Sequence, residues 1–153
     1  MKGLQDYYPE DFAHCYGCGR ENHHGHQIKT YWDGDETVTH YTPKEYHIAL
    51  PGFVYGGLLA SIIDCHGTGS GSLAIARERN IELTEFNAPR CVTASLKIDY
   101  HKPTPIGVEL EIRGRISEIK GKKVIVDANV YANGVMTVSG QIIVIEVPEG
   151  FGR

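Results

Sequence analysis

From Tyr55 the apolar residues Tyr55, Leu58, Leu59, Ile62 and Ile63 recur at i, i+3, i+4, i+7 and i+8, the stripe of an amphipathic helix. The pattern extends through Ser72–Ile75 to about Arg79. Gly67, Gly69 and Gly71 interrupt its second half, each costing about 1 kcal/mol against Ala. Either the helix is buried and needs close backbone contact there, or it breaks near Gly67.

The last third of the chain alternates with period two. Ala94, Leu96, Ile98 and Tyr100 interleave with Thr93, Ser95, Lys97 and Asp99, and Val108, Leu110 and Ile112 with Glu109, Glu111 and Arg113. Val124, Val126, Ala128 and Val130 follow the same rule, as do Met136, Val138, Ile142 and Val144. Lys120-Gly121 and Asn133-Gly134 supply hairpin turns, which predicts antiparallel neighbours with one buried face. Two further short strands, Gln27–Asp33 and Glu36–Thr42, surround the turn Asp33-Gly34-Asp35. Residues 1–26 read as an irregular segment, rich in His, Gly, Tyr and Cys, that packs on a domain formed by residues 27–153. Two strands, one long helix and four strands make an α+β protein in which a single helix lies across a curved antiparallel sheet.

Composition narrows this without changing it. A chain of 153 residues buries about 68–70% of its unfolded surface, enough for one core without metals or disulfides. Hydrophobic residues at 41% and charged residues at 22% exclude a disordered or collagen-like chain. A net charge of −4 argues against binding nucleic acid through its phosphate backbone. No apolar run approaches the roughly 20 residues of a membrane helix, and the start lacks the apolar stretch of a secretory signal. Four cysteines, at 15, 18, 65 and 91, do not form a secreted disulfide framework in a chain able to bury its own core. The expectation is a cytoplasmic protein with neither membrane nor nucleic-acid partners.

The segment Pro51-Gly52-Phe53-Val54-Tyr55-Gly56-Gly57-Leu58-Leu59-Ala60-Ser61-Ile62-Ile63-Asp64 carries the chemistry. Gly56 and Gly57 open the helix, where backbone N–H groups lack intrahelical partners and the dipole is positive. Glycine lets a polarised carbonyl or oxyanion approach that bare end. Asp64, two turns on, shares a small-polar stripe with Gly57, Ser61 and Thr68. Spacing alone fits a structural, hydrogen-bonded carboxylate as well as a catalytic one. Seven residues span about 10.5 Å of helix axis. An oxyanion donor and an attacking group must both lie about 3 Å from one carbonyl. One helix does not easily bring Gly57 and Asp64 to the same atom, whereas two antiparallel helices across a dimer interface can.

The string PGFVYGGLLASIID resembles the helix signature of hotdog-fold acyl-CoA thioesterases of the PaaI-like type. The usual form there is Gly, two hydrophobics, His-Gly-Gly, then Asp seven residues beyond the second Gly. TASLKIDYHKPTPIG resembles the next strand of that family, and EIKGKKVIVDANVY its following hairpin. Cys15-Tyr16-Gly17-Cys18-Gly19 with Asn22 and Gly25 is similar to an N-terminal element in the branch holding the human thioesterase-superfamily members.

The resemblance covers nearly the whole chain and implies a hotdog fold and a homodimer, with a tetramer left open. It implies acyl-CoA hydrolysis with Asp64 as nucleophile or general base. The Gly57 N–H, with Gly56, would polarise the carbonyl, and Thr93 would assist Asp64. Tyr55, His101, Lys122 and Lys123 would contact the substrate, the last three near the coenzyme A nucleotide. Tyr55 stands where the family usually has His, although a backbone donor at Gly57 does not need that side chain. Lys120, Lys122 and Lys123 also fit a plain solvated hairpin. No cofactor is implied beyond the coenzyme A of the substrate.

Cys15-x2-Cys18 followed by His23, His24 and His26, with His14 in front, has the elements of a zinc knuckle. A second such pair is absent, with Cys65 and Cys91 falling on the helix and a strand, and the family's related element usually needs no metal. The expectation is no metal, with reduced thiols in a Gly-rich cap over the substrate cleft. His47 reads as a surface residue. Two other functions stay open: a hotdog protein that binds acyl-CoA or another small ligand without turnover, and hydration of enoyl thioesters. The second would pair a His with the acid, and His66, two residues past Asp64, diverges from it on a helix.

Overall fold

A computed structural model describes residues 1–151. Its strands are β1 (Tyr31–Asp33), β2 (Glu36–Tyr41), β3 (Cys91–Tyr100), β4 (Leu110–Lys120), β5 (Lys123–Ala132) and β6 (Val135–Glu146). One helix, α1 (Gly56–Glu78), lies between β2 and β3 in the chain. The strands form one sheet in the order β1-β2-β4-β5-β6-β3, with every pairing antiparallel. This is the helix wrapped by a curved sheet that defines the hotdog fold.

The helix runs unbroken through its three central glycines, and close packing is the reason. A Cβ on Gly67 would lie 2.6 Å from Ile142 Cγ2, and one on Gly69 would lie 2.7 Å from the side chains of Gln5 and Thr30. A Cβ on Gly71 would collide with Val144. The glycines let α1 sink onto β6 on one side and under the N-terminal segment on the other. Cys65 to Ala76 are therefore buried on every face of the helix rather than along one stripe.

The hairpin signals are realised as backbone geometry. Asn133 and Gly134 both adopt positive φ (52° and 77°), as a type I′ turn requires, and Gly121 sits at φ 60° in the β4–β5 turn. The alternation in β4 and β5 also holds, with Leu110, Ile112, Val124, Val126, Ala128 and Val130 at 1% exposure or less.

Two expectations need correction. The first strand does not begin at Gln27. That residue takes a left-handed conformation (φ 52°), and the backbone groups beyond it bond to the N-terminal segment instead. Ile28 N–H donates to the Gly17 carbonyl at 3.2 Å, and the Thr30 carbonyl accepts from Leu4 N–H at 3.0 Å. Pairing in β1 starts only at Tyr31.

The second correction concerns β3, where a bulge at Ala94 breaks the simple alternation. Thr93 pairs with Val144, but Ser95 pairs with Ile143 and Leu96 with Ile142. Val144 and Ile142 both face the helix, so Thr93 shares the helix face with Leu96, Ile98 and Tyr100 instead of opposing them. That strand also lacks a buried face of its own, since only Cys91 is buried and Ile98 half-buried.

On the far side of α1, Leu4 and Tyr8 of the N-terminal segment join Leu73 of the helix and Ala88 in a second small core. Beside it runs a buried polar chain. Gln5 bonds Thr30, Thr30 bonds Thr39, and the Thr37 and Thr39 hydroxyls lie 3.1 and 2.8 Å from the two ring nitrogens of His66. His66 is fully buried, and burial pulls its pKa down to about 3. It is a neutral part of the core, turned away from Asp64, which removes the pairing that enoyl hydration would use.

Candidate functional site

The loop before α1 is tied down from two sides. Val54 N–H donates to the Thr104 carbonyl at 2.8 Å, and Tyr55 N–H donates to the His47 carbonyl at 2.8 Å. These bonds fix where the helix starts. Tyr55 is extended at the N-cap, and its carbonyl accepts from Leu58 and Leu59. The amides of Gly56 and Gly57 thus belong to the first turn, whose donors have no acceptor one turn back.

The end of β3 closes over this turn. Tyr100 Oη donates to the Gly56 carbonyl at 2.7 Å, and a Cβ on Gly56 would stand 3.4 Å from the Tyr100 ring. Burial, with the neighbouring Tyr55 phenol, raises the Tyr100 pKa and keeps the hydroxyl a donor. Tyr55 itself is 56% exposed. Its ring lies over Gly57, where a Cβ would come within 2.5 Å of Cε2. A cleft of about 370 Å³ opens beside the turn, lined by Gly56, Leu59, Tyr100 and His101 among others. No residue of the N-terminal segment lines it, so the segment does not form the cap over this cleft that the sequence suggests.

Two turns further along α1, Asp64 is half-buried and faces β3. The Thr93 hydroxyl donates to its Oδ1 at 2.5 Å. The bulge at Ala94 makes this possible, because regular alternation would turn Thr93 to the other face of the sheet. The carboxylate is therefore oriented from one side and open on the other, as an attacking group or proton acceptor must be.

The nucleotide-contact candidates fall in two places. His101 follows β3 at the Tyr100 end and bonds Ser139 Oγ at 2.7 Å. Lys122 and Lys123 sit at the opposite end, where Lys123 and Val92 both pair with Ile145. Eight strand residues, about 26 Å, separate the two groups along β3. Lys122 is exposed, and Lys123 approaches Glu118 at 3.5 Å. Within one chain, His101 and the two lysines do not meet.

Of the candidate metal ligands, His14, His23 and His24 are exposed, and His26 packs in a ring cluster with Tyr16, Tyr41 and His47. The cysteines behave differently. Cys65 reaches from α1 to join Cys15 and Cys18, and the three sulfurs lie within 4.8 Å of one another. Hydrogen bonds from the Cys18 and Cys65 thiols hold Cys15 well below the usual thiol range, while the bond to Cys15 pushes Cys18 up to about 12 and the bonds to Cys15 and Cys18 raise Cys65. Sequence reasoning missed this third sulfur, as it missed Tyr100, because both contacts join positions far apart in the chain.

Comparison with known proteins agrees with this geometry. Residues 51–139, from the loop before α1 into β6, match the family model described as thioesterase superfamily. The chain belongs to the thioesterase superfamily. A crystal structure of a thioesterase superfamily protein from Shewanella loihica is 43% identical, covers 90% of this chain and 97% of its own, and superposes with a TM-score of 0.69. The acyl-coenzyme A thioesterase THEM4 of Xenopus laevis is 31% identical over 84 residues, which are 55% of this chain and 32% of that protein. The chain thus spans about a third of the length of the THEM4 relatives it matches, 32% in Xenopus laevis and 34% in Rattus norvegicus. A Streptococcus mutans protein solved with acetyl CoA is 17% identical, with a TM-score of 0.60, and covers 78% of this chain and 88% of its own. At that identity it shows the shared fold. As a thioesterase superfamily member, this chain carries both Asp64 and the Gly56-Gly57 helix start inside the matched region.

Proposed function

We propose that this chain hydrolyses an acyl-CoA thioester to a free acid and CoA, as a homodimer with composite active sites. The observation that carries the reading is the Asp64 carboxylate, oriented by Thr93 and otherwise open, on the same helix as a Gly-Gly N-terminus. Family membership and the acyl-CoA thioesterase names of the relatives support the reaction class. The acetyl CoA bound to the Streptococcus mutans neighbour supports the ligand class.

In this mechanism Gly57 N–H polarises the thioester carbonyl, and Asp64 attacks it directly or takes a proton from an attacking water. Oxygen adds to the acyl carbon, the C–S bond breaks, and the sulfur leaves as the CoA thiol after protonation. In the direct route, water then cleaves the acyl anhydride formed on Asp64. Thr93 holds the carboxylate through either route.

The dimer follows from reach and from β3. Gly57 and Asp64 of one chain are about 10.5 Å apart along the axis, too far to share one carbonyl. Among the described residues only β6 pairs with β3, which leaves one edge of β3 unpaired, and along that strand Val92, Leu96 and Tyr100 are 39%, 38% and 52% exposed. A long exposed edge with apolar side chains is a pairing surface. Antiparallel pairing of two β3 strands would set the helices side by side and bring Asp64 against Gly57 of the partner subunit. It would also lay His101 toward the partner subunit's Lys122 and Lys123, which suits one CoA nucleotide held across the seam. The four free cysteines fit a reducing, cytoplasmic setting. Among the described residues no helix is long and apolar enough to cross a membrane.

A second reading, acyl-CoA binding without turnover, is favoured by one observation, the Tyr55 ring lying over Gly57. The test is a panel of short, medium, long and aromatic acyl-CoAs with free CoA detected by a thiol reagent. Release by the parent, lost in Asp64→Asn with its folding intact, supports hydrolysis. Tight binding with no release across the panel supports the second reading, and undiminished turnover in Asp64→Asn discards the mechanism.

A further inference from the structure

We infer that Cys15, Cys18 and Cys65 form a three-thiolate site for one zinc ion, fastening the N-terminal segment to α1 beside the candidate active site.

Four sulfurs around a tetrahedral zinc, with Zn–S bonds of about 2.3 Å, stand about 3.8 Å apart. Cys15 Sγ and Cys65 Sγ are 3.7 Å apart, and all three sulfurs lie within 4.8 Å of one another. The Cys15–Cys65 pair matches one edge of such a tetrahedron, and Cys18 Sγ lies close enough to both to complete the ligand set. Three sulfurs so placed are poorly explained by a disulfide, which would use two of them and leave the third.

The surrounding backbone is shaped to let the sulfurs meet. Cys15-Tyr16-Gly17-Cys18 turns back on itself, with Gly19 N–H donating to the Cys15 carbonyl at 2.7 Å. A Cβ on Gly17 would collide with Cys65 Sγ, so glycine is required for the helix sulfur to enter the loop. A short Cys-x2-Cys turn that a helix sulfur can enter suits a ligand set of thiolates.

Burial and charge fit as well. Cys18 and Cys65 are 2% and 7% exposed, whereas Cys15 is half-buried, and a tetrahedral ion held by these three would take water or an incoming ligand as its fourth. Three thiolates around a divalent cation leave one negative charge over. The guanidinium of Arg90 lies in the field of all three cysteines and supplies the counter-charge. The softness of three sulfur donors selects zinc over magnesium or calcium.

The consequence is mechanical. Cys65 directly follows Asp64 on α1, so a metal held here anchors the helix one residue from the carboxylate to a segment that has little regular structure of its own. This inference stands apart from the thioesterase reading, and its test does not measure turnover.

The full chain is purified with a reductant, stripped with a chelator, and reconstituted with zinc chloride or cobalt chloride. The expected results are about one zinc per chain after dialysis, and a cobalt form with near-ultraviolet thiolate-to-metal charge transfer. Cys15→Ser, Cys18→Ser and Cys65→Ser should each weaken zinc binding at least about tenfold, while Cys91→Ser, a buried thiol outside the cluster, should bind as the parent does. Zinc at less than about a tenth per chain, a cobalt spectrum without sulfur charge transfer, or unchanged affinity in Cys65→Ser would each overturn the site. The cobalt spectrum of the parent decides the matter even where a serine variant fails to fold.

Discussion

The Thr93 hydroxyl donates to the Asp64 carboxylate across the gap between β3 and α1, at 2.5 Å. It does so only because a bulge at Ala94 rotates Thr93 onto the helix face. Removing that donor leaves Asp64 in place but free to turn. Thr93→Val should lower kcat for CoA release by about 10–100-fold, the worth of a hydrogen bond to a charged group. KM should change little, and Thr93→Ser should recover most of the rate. Steady-state kinetics on all three proteins check this, and equal kcat values in Thr93→Val and the parent would remove Thr93 from the mechanism.

The buried face of α1 against β6 makes a stability prediction. Ala is the better helix former, so Gly67→Ala on an open helix would stabilise by about 1 kcal/mol. Here the added methyl would lie 2.6 Å from Ile142 Cγ2 in a filled core. Overpacking of this kind costs about 1–3 kcal/mol, so the variant should unfold at lower denaturant concentration than the parent. Urea unfolding followed by circular dichroism reads the sign directly.

Acid should act on the core through His66. Its folded pKa is about 3 against an ordinary 6.5, so between those values the unfolded chain binds a proton that the folded chain does not. Stability contributed by this group is therefore intact above about pH 6.5 and falls as pH drops toward 3, by up to about 1.4 kcal/mol per pH unit. His66→Gln keeps a polar partner for Thr37 and Thr39 without the titration. The stability of the parent relative to the variant should hold from pH 7 to about pH 6.5 and fall from there to pH 4.5 in urea melts. A constant difference would contradict the burial argument.

Much of this architecture is written locally. The helix stripe from Tyr55 to Ile63, the alternation at Leu110–Ile112 and Val124–Val130, and the turns at Gly121 and Asn133-Gly134 each depend on residues close in the chain, and each appears where the pattern predicts. The two-turn spacing of Asp64 from the Gly56-Gly57 helix start is legible because helix geometry fixes it. The remainder depends on partners far away. Nothing in Thr93-Ala94-Ser95 announces a bulge, which is set by pairing with Val144 and Ile143 on β6. Gln27–Thr30 reads as a strand until the N-terminal segment takes its backbone groups. Cys65 reads as a core helix thiol until the loop at Cys15 folds against it.

A site shared between two subunits is tested most directly by mixing two inactive variants. Asp64→Asn removes the carboxylate, and Gly57→Pro removes the N–H in a first helical turn that tolerates proline. The exposed Tyr55 ring over Gly57 can rotate aside. Each variant alone should release no CoA while remaining folded and dimeric. After unfolding and refolding together, half of the dimers are mixed, and each mixed dimer holds one site with both groups intact if Gly57 and Asp64 act across the interface. Free CoA should then appear at about a quarter of the parent rate. If both groups act within one chain, no mixed dimer holds an intact site, and a mixture as silent as its components would contradict the account.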